Sequence, residues 1–263
     1  MTDPLDEAGS VGGARGGDDS EAGPSGTPSR RIDLSGTVVE YAVRHSDEAT
    51  RARIDVDVHG VTVVLPAGAR LRAEEFLREK ASWVVEKHRE FERYRERVPD
   101  RTFEPGESFP VLGTERELVV EPARRNELTE ETIRLRRSAV EQSSVKRALE
   151  NFYRSLARAE FTERADSYAP RMGVEYGGIE IRNQKTKWGS CSSSGTLGLN
   201  WRLMQAPPAI VDYIVVHELA HLREMNHGEA FWAIVEEFDP EWEQHRAWLR
   251  EHSAELVFSE EDL

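Results

Sequence analysis

The sequence predicts an α+β fold. Apolar residues alternate with polar ones over Ile54-Val56-Val58 and Val61-Val63-Leu65, and again at Ile179-Ile181 and Leu197-Leu199, the period-2 pattern of strands. Over Arg72 to Arg97 and Gln142 to Tyr168 they recur instead near helical spacing, and after Pro207 the chain is apolar nearly without interruption.

Taken in order, Met1 to Ser29 is Gly, Asp, Ser, Pro and Thr with almost no apolar residue. Too little surface can be buried to offset the entropy of ordering, so residues 1–30 read as a disordered acidic tail. Residues 31–140 read as a β-rich region with one long charged helix. There His59-Gly60 turns a β-hairpin, and the helix Arg72–Arg97 collects Phe76, Leu77, Trp83, Val84, Phe91 and Tyr94 on one side. Pro105-Gly106, Pro110 and Gly113 then separate short strands, among them Glu117 to Val120 and Thr132 to Leu135. A second region, 141–255, opens with a helix through Val145, Leu149, Phe152 and Leu156 that ends at Pro170. After the Ser192-Ser193-Ser194-Gly195 turn, Leu197, Leu199, Trp201 and Leu203 alternate as a strand. Phe231, Ile234, Val235 and Phe238 mark a short helix, Asp239-Pro240-Glu241 starts another, and 256–263 form an acidic C-terminal tail.

Of the 263 residues, 38% are apolar, enough for a packed core, and the formal charge is −14. That charge excludes a basic protein that coats nucleic acid. The single cysteine, Cys191, forms no internal disulfide. No apolar run approaches the ~18–20 residues of a membrane helix, and the first residues lack the charge and apolar segment of a signal peptide. The expectation is a soluble, cytoplasmic protein with no membrane partner.

The chemistry lies in one helix. Pro207-Pro208 opens it, at a position where proline does no harm, and Ile210 to Val216 make it apolar nearly all round, so it belongs in the interior. Into it the sequence places His217-Glu218-Leu219-Ala220-His221. Histidines at i and i+4 project from one side of a helix about a turn apart, so two imidazoles reach one metal with the glutamate beside it. Buried His and Glu on such a helix are costly unless paired or metal-bound. Met225-Asn226 and Gly228 offer a place for the helix to end, letting His227 return over the first two ligands. Glu236 and Glu237 on the next helix are the rival third ligands, and a plain capping role for His227 is the bland alternative. Three protein ligands plus water describe a catalytic zinc, one ion. Glu218 then takes the proton of the attacking water and returns it to the leaving amine. An oxyanion-stabilising group is not identified by pattern; Tyr168, Tyr213, Arg182 and His245 are the options.

Arg182-Asn183-Gln184-Lys185-Thr186-Lys187-Trp188-Gly189-Ser190-Cys191, Leu199-Asn200-Trp201-Arg202-Leu203, Tyr213 to Leu222, Asn226-His227 and Phe231-Trp232 together resemble the YgjP-like metallopeptidases, zincin-type proteins akin to the SprT-like group. The resemblance is dense from Tyr168 to Leu249 and looser back to Arg51. It implies zinc at His217, His221 and His227, Glu218 as catalytic acid/base, and a zincin-like core in which the HExxH helix packs beside a small antiparallel or mixed sheet.

The remaining assignments concern substrate. Trp188, Gly189, Ser190, Arg182, Lys187 and Asn200 are the expected substrate-binding residues. Small residues at Gly189 and Ser190 suit an extended peptide pairing with a sheet edge; a Gly-kinked strand that packs Trp188 inside is the equal alternative. From Ile181 to Val211 there is no acid, while Arg182, Lys185, Lys187 and Arg202 form a basic island that either attracts an anionic substrate or pairs with surface acids. Cys191 reads as a small buried residue, and His245 and His252 as structural. The leading function is a zinc metallopeptidase acting on protein or peptide. The alternatives are a metal-dependent hydrolase of nucleotides or other phosphoanhydrides, and a non-catalytic zinc-stabilised binding module.

Overall fold

A computed structural model describes residues 29–47, 49–57, 60–185 and 187–262. The chain forms two compact units that divide between Val98 and Pro99. The expected disordered tail lies outside the described residues up to residue 28, and Arg30 already opens a strand.

The first unit is a four-stranded sheet with two helices. Its strands are β1 (Arg30–Leu34), β2 (Thr37–Ser46), β3 (Arg53–Asp57) and β4 (Gly60–Pro66), in the order β1-β2-β4-β3. β1 and β2 form a hairpin around Ser35-Gly36, both at positive φ, where the Gly36 amide donates to Asp33 Oδ1 at 2.8 Å. The expected hairpin is β3–β4, paired from Arg53↔Val64 to Asp57↔Gly60; its turn residue His59 lies outside the described residues. One long helix was the expectation over Arg72–Arg97, but there are two, α1 (Ala73–Glu79) and α2 (Ala81–Glu96). The chain leaves helical geometry at Lys80 (φ −103°, ψ 18°), and no Gly or Pro marks the break in the periodicity. Ile32, Leu34, Val39, Tyr41, Val61, Val63, Leu77 and Val84 form the core. Trp83 does not join it: it is 43% exposed.

The second unit contains β5 (Ser108–Val111), β6 (Thr114–Glu121), β7 (Glu127–Leu128) and β8 (Thr132–Arg136) in a sheet of order β5-β6-β8-β7. It continues with α3 (Arg137–Glu141), α4 (Val145–Met172), and a three-stranded sheet of β9 (Gly178–Arg182), β10 (Gly189–Cys191) and β11 (Thr196–Asn200), ordered β10-β11-β9. β10 pairs antiparallel with β11, and β11 parallel with β9. A 3-10 turn (Trp201–Gln205) leads into α5 (Pro208–Ala220), followed by α6 (Glu229–Phe238) and α7 (Trp242–His252). The class is α+β, as expected, with an HExxH helix beside a small mixed sheet. Among the described residues no helix is long and apolar enough to cross a membrane.

Two boundaries differ from expectation. Pro170 lies inside α4, in its last turn, and the helix ends instead on Gly173 at φ 66°; proline there forfeits a single backbone bond, whereas the left-handed glycine ends the helix. The strand expected through Leu203 stops at Asn200, whose Oδ1 accepts the Arg202 amide at 3.1 Å and starts the 3-10 turn.

The core of this unit wraps α4 and α5. α4 sends Leu149, Phe152, Tyr153, Ala157, Phe161 and Ala165 inward, and nearly every side chain of α5 is buried. Strand residues Phe109, Val111, Leu118, Ile133 and Leu135 share that cluster. Leu256, Val257 and Phe258, at the start of the acidic terminal segment, are buried too; the Phe258 ring lies 5.0 Å from Trp201 and 5.8 Å from Tyr153. This packing holds α5 in place.

Candidate metal centre

α5 delivers its histidines where it runs out. His217 sits in the last turn, His221 is the C-terminal cap residue, and the chain then turns through Arg223 and Glu224. Glu224 Oε1 accepts the Asn226 amide at 3.0 Å, which tightens the turn, and α6 begins just after His227. The third histidine thereby returns over the first two. One donor atom from each of His217, His221 and His227 lies within 4.8 Å of the others, with Nε2 of His217 and His227 3.1 Å apart. Among the described residues this is the cluster able to hold a metal ion. The rivals Glu236 and Glu237 are exposed on α6 and stand outside it.

Burial sets the electrostatics. His217 is held well below the ordinary imidazole pKa, first by burial and then by its histidine neighbours, and burial with His227 pushes His221 down to about 4. Both are neutral at pH 7 and keep a lone pair. Nδ1 of His221 lies 3.3 Å from the Glu224 carbonyl; an N–H donated there leaves the lone pair on Nε2. Glu218 is 2% exposed, its Oε2 has no hydrogen-bond partner among the described residues, and neither has His217 Nδ1. Burial raises the Glu218 carboxyl to about 8, against the pull of the Lys187 ammonium. Lone pairs facing one another beside an unsatisfied carboxyl are unfavourable alone and become favourable around a cation. The residues therefore fit a divalent metal.

Aromatic residues close the floor. The Phe231 ring lies 4.9, 4.6 and 4.7 Å from His217, His221 and His227 respectively. Trp232 stacks on His227 at 5.8 Å and on Trp242 at 4.1 Å. Sequence reasoning treats Phe231 as ordinary core; that it faces the imidazoles is set by how α6 packs against α5.

The expected substrate residues divide. Gly189 lies against Glu218: a Cβ added there would be 2.7 Å from the Glu218 Cδ. Lys187, two residues earlier, acts on the same carboxylate through its charge. Asn200 is buried, and all its polar atoms serve the chain: Nδ2 donates to the carbonyls of Gln184 at 2.8 Å and Lys187 at 3.1 Å, while Oδ1 accepts from Arg202. Arg202 is buried as well, donating to the Gln184 carbonyl at 2.6 Å and lying over the Trp188 ring. Arg182 is ion-paired with Glu180, Lys185 is exposed, and Ser190 turns toward Gly198. The basic island is thus dispersed, with Lys187 its member nearest the carboxylate. Of the oxyanion options, Tyr213 packs edge-on to His217 at 5.9 Å. His245 is bound to Asp239 at 2.8 Å, and Tyr168 lies under Arg171. Burial pushes the Cys191 thiol up to about 11, so it is no nucleophile at neutral pH.

A search of curated proteins matches nothing. Among solved structures, the crystal structure of the metallopeptidase zymogen of Pyrococcus abyssi abylysin is 24% identical over 37% of this chain and 99% of that one, with a TM-score of 0.31. The family model of the YgjP-like metallopeptidase domain matches residues 50–252, from just before β3 to the end of α7. A match over that much of the chain shows that it belongs to the YgjP-like metallopeptidase family, whose members are metal-dependent peptidases.

Proposed function

We propose that this chain is a zinc-dependent peptidase in which His217, His221 and His227 hold the metal and Glu218 is the general base. The observation that carries this reading is the convergence of three imidazole donors beside a buried carboxylate with an unpartnered oxygen. Zinc suits an all-imidazole set, and the 3.1 Å between Nε2 of His217 and His227 would let both reach one ion. A zinc ion so held supplies Lewis acidity, polarising the substrate carbonyl and acidifying water.

The rest is the work of side chains. Glu218 accepts a proton from the attacking water and gives it to the leaving amine nitrogen. Phe231 and Trp232 keep water from one side of the imidazoles. On either side of β10, Trp188 and Ser192 bond to Asn200 and Thr196 of β11, so the backbone groups of Gly189 and Cys191 point to the open edge, where an extended protein or peptide can pair.

Metal analysis tests the ligands: a purified chain without stoichiometric zinc, or one that retains it after His217→Ala and His221→Ala, overturns the assignment. Glu218→Gln is expected to keep zinc and fold while turnover falls about 10²–10⁴-fold. Zinc kept with no turnover in the parent chain leaves a binding module. Hydrolysis of nucleoside triphosphates but not of unfolded proteins replaces the peptidase reading with the phosphoanhydride one.

A further inference from the structure

Gly189 is the first residue of β10, and its backbone gives no reason for a glycine. Its φ is not among the positive values that Gly113, Gly173 and Gly195 adopt, so any L-residue could take its conformation. What forbids a side chain is Glu218. A methyl group in place of the α-hydrogen would overlap Oε1 and come within 2.7 Å of Cδ and 2.8 Å of Cγ. The overlap with Cγ decides the matter. Turning the carboxylate about its last bond moves the oxygens and leaves Cγ in place, so only withdrawal of the whole side chain from the strand relieves it. Gly198, on the neighbouring strand, differs: a Cβ there would meet the Ser190 hydroxyl at 2.7 Å and then only the Arg182 side chain, its Cγ at an ordinary 3.4 Å, and a hydroxyl swings away by one rotation.

The neighbours agree. Strand periodicity puts Cys191 on the same face as Gly189, and both Cys191 and Lys187, just before the strand, feel the Glu218 charge. The carboxylate therefore lies under the strand at Gly189, flanked by these two side chains.

We infer that Gly189 is a positioning residue: its missing side chain is a slot in β10 that seats the Glu218 carboxylate against the strand, and so sets where the base stands relative to a peptide on that edge. The seating rests on sterics alone; its consequence for turnover rests on the role of Glu218 proposed above.

The test is a double-mutant cycle on the full-length, metal-free protein, read by thermal melting. Gly189→Ala is expected to lower the melting temperature by about 3–10 °C, the effect of overpacking a rigid site in a unit of this size. In a Glu218→Ala background the same change is expected to cost nothing, because the group it strikes is gone. An equal penalty in both backgrounds, or none in either, overturns the slot. Should Gly189→Ala fail to fold, the double variant decides: folding recovered supports the inference, and folding still lost overturns it. In the zinc-loaded enzyme, Gly189→Ala is expected to retain one zinc per chain and a KM within about twofold while kcat falls about 10²-fold, as a base misplaced by about 1 Å gives. Unchanged kcat, or loss of zinc, overturns the positioning role. If Glu218→Gln itself leaves turnover intact, the proposed mechanism fails while the melting cycle still reports the slot.

Discussion

Replacing Asn200 by alanine separates two roles that its sequence motif leaves open. The side chain is 1% exposed and makes four hydrogen bonds: two to the Gln184 and Lys187 carbonyls and two from Arg202. Asn200→Ala leaves the Gln184 carbonyl with its bond from the Arg202 guanidinium, but the Lys187 carbonyl loses its partner and the Arg202 amide its cap. An orphaned buried group costs about 1–3 kcal/mol and a lost cap about 1 kcal/mol. The sum is about 2–4 kcal/mol. For a unit of this length each kcal/mol moves the transition about 2–4 °C, so its melting temperature is expected to fall about 4–16 °C. Because every polar atom of Asn200 faces the chain, KM is expected to stay near the parent value while kcat declines as the segment leading to Lys187 and Gly189 loosens. Calorimetric melts and steady-state kinetics on an unfolded protein substrate measure both. An unchanged melting temperature with KM raised tenfold or more would refute the reasoning and return Asn200 to direct substrate contact.

Two further outcomes follow from packing and burial. Phe258→Ala removes a ring that is 1% exposed and packed on Phe103, Tyr153 and Trp201; it is expected to cost about 3–5 kcal/mol, and a melting temperature within a degree of the parent would show that the terminal segment is not part of the core. The Cys191 thiol, raised to about 11 chiefly by burial, stays protonated below that pH and ionises only above it. Alkylation by iodoacetamide at pH 8 is therefore expected to be about 10²-fold slower than for a free cysteine, and a rate profile centred near the free-thiol value would contradict the burial.

Local pattern was enough for much of this. His217 and His221 lie on one face, with Glu218 beside them, because 3.6 residues make a turn, and an all-apolar helix has no stable place but the interior; both are properties of a short stretch of chain. The β3–β4 hairpin and the mixed class followed from periodicity in the same way. Other features had no local mark. The break at Lys80 contains no Gly or Pro, Trp201 and Leu203 keep the strand alternation while adopting a 3-10 turn, and Leu256 to Phe258 look like the start of an acidic tail.

What the amino-acid order determined by itself was the kind of chemistry: imidazoles spaced to hold a metal, a carboxylate between them, and a core to bury them. What only the tertiary structure decided was who meets whom. Gly189 faces Glu218 across 29 residues of sequence, Asn200 and Arg202 turn inward to hold a loop, and Phe231 lies against all three histidines. Such meetings depend on how helix and sheet pack, and packing is set by shape and volume summed over the whole core, which no run of neighbouring residues encodes.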